Sequence, residues 1–121
     1  MNDFQLKLKT VIDEYVNFIY QITKDFPKEE IYGSTSQIKR SSLSIILNYI
    51  EGYARYKPLV RLNFLEIAYG SLMESDYLLD FSRKQMFITE NNYNQCKKYT
   101  REIGAMLWTE TSNLRNSLHT N

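Results

Sequence analysis

The chain has 121 residues, 43% of them hydrophobic, with 15 Lys and Arg against 14 Asp and Glu. That length suits a single domain over 1–121, and a formal charge of +1 excludes a grossly basic nucleic-acid tail or an acidic disordered chain. Four glycines and two prolines are too few to punctuate a β-sandwich, and one cysteine makes neither a disulfide framework nor a cysteine-based zinc site.

The first predicted helix runs from about Asp3 to Asp25. Phe4, Leu8, Val11, Tyr15, Phe18 and Ile22 recur at steps of three and four, and Ile12, Val16 and Ile19 widen that face. Phe26 ends it, because Pro27 disfavours the helical conformation in the residue before it. Ser34 followed three residues later by Gln37 reads as a capping box, which starts the second helix near Thr35. That helix extends to about Tyr53–Arg55, with Ile38, Leu43, Ile45, Ile46, Leu47, Tyr49, Ile50 and Tyr53 as its apolar positions.

Pro58 opens the third helix, which reaches Ser82–Lys84. It carries two apolar seams, Leu62, Leu65, Tyr69, Leu72 and Leu79, then Val60, Phe64, Ile67, Leu78 and Phe81. Two seams predict contacts on two sides, hence an oligomer. Thr89 caps the fourth helix, in which Cys96, Thr100, Ile103, Leu107, Thr111, Leu114 and Leu118 keep the helical spacing. Short linkers between long helices predict an all-α, up-down antiparallel four-helix bundle. No stretch approaches the ~20 apolar residues of a membrane span, and the N-terminus lacks a signal-peptide pattern, so a cytoplasmic protein is expected.

Gln37, Ser41, Ser44, Asn48, Glu51 and Arg55 form a polar stripe along the second helix. It is either a solvated face or a polar seam lining an interface or channel, where buried polar groups must find partners. Gly52, Gly70 and Gly104 fall inside predicted helices at a cost of about 1 kcal/mol each, which points to close helix packing.

Charge is unevenly placed. Residues 34–61 hold Lys39, Arg40, Arg55, Lys57 and Arg61 against Glu51, whereas 62–82 hold Glu66, Glu74, Asp76 and Asp80 with no Lys or Arg. The five basic residues are candidate phosphate contacts, with Tyr53 and Tyr56 beside them to stack on unpaired bases. The competing reading is that these charges serve ordinary solubility and inter-subunit pairing, with opposite segments meeting across subunits.

Enzymatic readings have little to stand on. His119 lies third from the end, no Glu-x-x-His exists for a di-iron site, and Glu51, Glu66 and Glu74 have no supporting feature as a carboxylate pair. Cys96 reads as a small buried apolar residue, and Trp108 as a core or subunit-contact residue. No enzyme activity, cofactor or metal is expected.

Phe26 to Arg55 also carries a family pattern. FPKEE at Phe26–Glu30, Tyr32-Gly33, Thr35-Ser36-Gln37-Ile38 with Arg40, Ser44-Ile45, Asn48 and Glu51-Gly52-Tyr53-Ala54-Arg55 resemble the four-helix-bundle family first noticed in intervening sequences of bacterial large-subunit ribosomal RNA genes. Phe64 to Glu74 resembles that family's third helix. The chain has Ile46 where the family often has proline, and Tyr49-Ile50 where it often has Ile-Ala. The resemblance implies a ring-like oligomer, a homopentamer. It also implies kinship with accessory proteins of diversity-generating retroelements, which engage nucleic acid and a reverse transcriptase. Two functions are therefore expected as alternatives: an oligomeric adaptor for RNA, DNA or a nucleic-acid enzyme, or a structural, protein-interaction bundle without nucleic-acid affinity.

Overall fold

Asn2 and Gln5 start the first helix. Asn2 Oδ1 accepts the Gln5 backbone N–H at 2.8 Å, and Gln5 Oε1 accepts that of Asn2 at 3.0 Å, a reciprocal cap. In the computed structural model, which describes residues 1–119, helix α1 spans Asp3–Ile22 and passes into a 3-10 turn at Thr23–Asp25. Phe26 is extended ahead of Pro27, and a second 3-10 turn covers Lys28–Glu30. Helices α2 (Ser34–Ala54), α3 (Pro58–Lys84) and α4 (Glu90–Ser117) follow. Among the described residues there are four α-helices and no strand.

The entry to α2 differs from expectation. Its cap is Gly33, not Ser34, and no capping box forms. Ser34 is the first helical residue, and its hydroxyl and backbone N–H both donate to Glu30 Oε1, at 2.7 and 3.2 Å. These bonds hold the Glu30 carboxyl below its ordinary pKa. Thr89 does cap α4, accepting the Asn92 N–H at 3.1 Å.

The α3–α4 turn had no sequence signal, because no glycine marks it. Met86 takes φ 60°, the left-handed conformation that glycine usually supplies. Met86 N–H donates to the Arg83 carbonyl and Phe87 N–H to that of Ser82, the pair of bonds of a Schellman motif. The accompanying apolar contact is present, with the Phe81 and Phe87 rings 6.4 Å apart.

Each helix packs against two neighbours, α1 on α2 and α4, and α3 on α2 and α4. The N-terminal amine donates to Tyr53 Oη at 2.6 Å at one end of the bundle, and the Phe26 and Phe87 rings meet at 6.1 Å at the other. The helices therefore alternate in direction. Leu8, Ile12, Ile19, Ile38, Ile45, Leu65, Leu72, Leu79, Ile103 and Leu107 are sealed in one core. Each such side chain contributes about 1.5–3 kcal/mol by leaving water. Two tyrosines cross this core with their hydroxyls satisfied. Tyr15 bonds Ser75 on α3, and Tyr49 donates to Glu110 on α4 at 2.6 Å. Burial raises both phenols above their ordinary pKa.

Four of the apolar positions of α2 lie outside the core. Leu43, Leu47 and Ile50 sit about 100–180° away from Ile38, Ile45 and Tyr49 at 100° per residue and face outward, and Tyr53 is exposed as well. Phe4 is likewise exposed. On α3, Val60 and Ile67 of the second seam are exposed, while Phe64, Leu78 and Phe81 are half-buried within the chain.

Candidate nucleic-acid interface

Arginines and one lysine gather where α2 turns into α3. Arg55 ends α2, its guanidinium pairs with Glu51 one turn back, and it lies 5.1 Å from the centre of the Phe64 ring. Arg61 donates through Nη2 to the Arg55 carbonyl at 3.0 Å, and its Nε is buried without a partner. Lys57 caps α3 and is exposed. Tyr56 projects from this turn at 95% exposure, whereas Tyr53 is tied to the N-terminal amine. The turn thus sets three cations beside one unengaged aromatic ring, the combination that backbone phosphates and unpaired bases need.

Lys39 and Arg40 are not part of that cluster. They lie fifteen or sixteen residues earlier on α2, about 24 Å along a helix at 1.5 Å per residue. Arg40 is exposed, and Lys39 Nζ rests 4.7 Å from the centre of the Tyr20 ring on α1. The five basic residues that look continuous in the sequence are divided between the two ends of the bundle.

The polar stripe of α2 is divided as well. Ser44 Oγ meets Ser71 Oγ at 2.8 Å, and Asn48 Nδ2 donates to Ser44 at 2.8 Å to the carbonyl and 3.0 Å to the hydroxyl. Ser41 is buried with its hydroxyl on the Ile38 carbonyl. These residues belong to the α2–α3 seam inside the chain. Gln37 is exposed and Glu51 is engaged with Arg55, so the stripe is neither wholly solvated nor wholly buried.

Gly52 explains why α2 and α3 approach so closely. A Cβ there would stand 3.0 Å from Phe64 Cβ and 3.4 Å from the Arg61 carbonyl oxygen. Gly70 has nothing within 4 Å of a Cβ, so close packing does not account for it, and at Gly104 a Cβ would meet only ordinary contact with Leu72.

The largest polar cluster holds α3 to α4. Lys97 Nζ donates to Asp76 at 2.9 Å and Asp80 at 3.2 Å, Thr100 donates to Asp76 at 2.8 Å, and Tyr93 donates to Asp80 at 2.6 Å. Desolvation opposes the charge on Asp80 and on Lys97. The mutual bonds outweigh it, leaving the aspartate below and the lysine above its ordinary pKa. Every charge here has a partner, so the cluster fastens the helices and has no free group for chemistry.

Cys96 is sealed, and burial pushes its thiol up to about 12, which leaves it protonated and unreactive near neutrality. His119 is exposed. Trp108 is more than half exposed, with its ring 5.8 Å from that of Tyr69. Among the described residues no helix is long and apolar enough to cross a membrane.

The sequence model of the 23S rRNA-intervening sequence protein family matches residues 5–109. A crystal structure of a protein of unknown function from the S23 ribosomal protein family of Bacteroides thetaiotaomicron is similar, with a TM-score of 0.84 at 24% identity, over 90% of this chain and 98% of that one. At that identity the likeness carries the fold alone. No curated protein matches the chain.

Proposed function

We propose a function from one premise: this chain belongs to the 23S rRNA-intervening sequence protein family. It is a non-enzymatic cytoplasmic adaptor that assembles as a ring, a homopentamer, and binds nucleic acid or a nucleic-acid enzyme such as a reverse transcriptase. The observation that carries this reading is the α2–α3 turn, where Arg55, Lys57 and Arg61 stand beside the exposed Tyr56. A ring repeats that turn in every subunit and multiplies a modest charge into a continuous one. Leu43, Leu47 and Ile50 support assembly, because they form an outward apolar stripe on α2 that a lone bundle leaves in water.

Titration of the purified protein with structured RNA and with duplex DNA, at several salt concentrations, tests the first half. For each tenfold rise in salt, log K should fall by roughly 0.7–0.9 per phosphate contact, and Lys57→Gln should lower that slope by about one contact. No binding at low salt removes the nucleic-acid reading. Light scattering tests the second half, and a monomer at micromolar concentration removes the ring.

The second reading is a protein-interaction bundle without nucleic-acid affinity. It is favoured by the same turn, since Arg55 and Arg61 are partly engaged by Glu51, Phe64 and the Arg55 carbonyl. A partner that stays bound after nuclease treatment would select it.

A further inference from the structure

At the end of the bundle away from the α2–α3 turn, the descent from α1 and the start of α2 enclose a cleft of about 600 Å³. Its polar lining carries a charge of one sign. Lys24, Lys28 and Lys39 contribute to it, and no Asp or Glu does. Tyr20 and Phe26 give it aromatic walls. Glu30 occupies the first N–H of α2 from outside the lining.

Thr35 also lines the cleft, but its hydroxyl is sealed from the open volume and has no hydrogen-bond partner. A buried hydroxyl without a partner costs about 1–3 kcal/mol. Thr23, the other buried threonine of the lining, is satisfied by the Ile19 carbonyl at 2.8 Å. Lys39 follows Thr35 by four residues and so lies above it on the same face of α2. Its ammonium rests on the Tyr20 ring at 4.7 Å, an attraction worth much less than a charged partner.

We infer that this cleft is a binding site for a phosphate monoester, held by Lys24, Lys28 and Lys39. Three flexible ammonium groups suit a phosphate as point charges, and the volume lies within the range of small-ligand pockets, roughly 300–1,000 Å³. The phosphate could be carried by a free nucleotide or by the 5′ end of a nucleic acid. This goes beyond the proposed function and does not depend on the α2–α3 turn.

Calorimetric titration at low salt decides it, with adenosine 5′-monophosphate, adenosine, and one oligonucleotide with and without a 5′ phosphate as probes. The nucleotide should bind and adenosine should not. Binding of the 5′-phosphorylated oligonucleotide alone would assign the site to nucleic-acid ends. The double variant Lys24→Gln, Lys28→Gln changes two exposed side chains and should weaken binding at least about tenfold, with an unaltered circular dichroism spectrum. The inference is overturned if neither phosphate probe binds, or if binding survives the lysine variant at full affinity. Equal affinity for the two oligonucleotides with none for the nucleotide also overturns it, while leaving the turn as an interface.

Discussion

The two ends of the bundle carry positive charge in different ways. At the α2–α3 turn two of the three cations are arginines that are already engaged, Arg55 with Glu51 and Phe64, Arg61 with the backbone of Arg55, and the third is the exposed Lys57. At the opposite end it sits on Lys24, Lys28 and Lys39 around open volume, with only an aromatic ring under Lys39. The guanidinium fork loses little freedom per hydrogen bond and suits a fixed junction, whereas the ammonium is a mobile point charge. A basic residue near a helix end is therefore not one kind of thing: the packing around it decides whether it holds the fold or awaits a partner.

Substitutions at each end should separate these roles. The largest effect is expected at the packed turn, where Gly52→Val forces a branched side chain against Phe64 Cβ and the Arg61 carbonyl. Urea denaturation should show a loss at the upper end of about 1–3 kcal/mol. An unchanged midpoint would mean that α2 and α3 can separate without cost, and the contrast between the ends would fail. Arg61→Met comes next. It keeps the aliphatic stem and removes the bond to the Arg55 carbonyl, for a loss of about 1 kcal/mol by the same measurement. Gly70→Ala is the control for Gly52 and should stabilise by about 0.5–1 kcal/mol, because the position is open and helical. Smallest of all, Lys24→Gln with Lys28→Gln should leave stability within about 0.5 kcal/mol. A larger loss would place those lysines in the structural class and erase the distinction.

The helices were legible because apolar spacing at three and four is a local signal. Pro27, Pro58 and Thr89 mark boundaries through backbone chemistry that needs no tertiary context. Gly52 was legible as a cost that close packing repays, but the same signal at Gly70 meets no neighbour. Ser34 misled because its hydroxyl had two possible partners, and Glu30, across the turn at Gly33, was nearer than the backbone of its own helix. Leu43, Leu47 and Ile50 are legible only as apolar positions, because hydrophobicity alone does not say which side of a helix meets the core. The lysine cleft was hidden by its neighbours. Asp25, Glu29 and Glu30 alternate with Lys24 and Lys28, so the segment counts as acidic, and only the folded chain directs the two signs to different places. No pattern in the sequence singles out Thr35, since an unmet hydrogen bond exists only once its surroundings are closed.

The phenylalanines at the cleft end have a consequence for motion. Phe87 touches Phe26, which ends the first helical segment, and Phe81, on the last turns of α3, and it is the left-handed Met86 that delivers it there. One ring thus latches the end of the first helical segment to the α3–α4 turn, two places far apart in sequence. Fraying of the first segment and opening of the α3–α4 turn should then be a single cooperative event, with amide protons at both places reporting one common opening free energy. Phe26 also lines the cleft, so anything that settles in it should slow exchange in a turn it never touches.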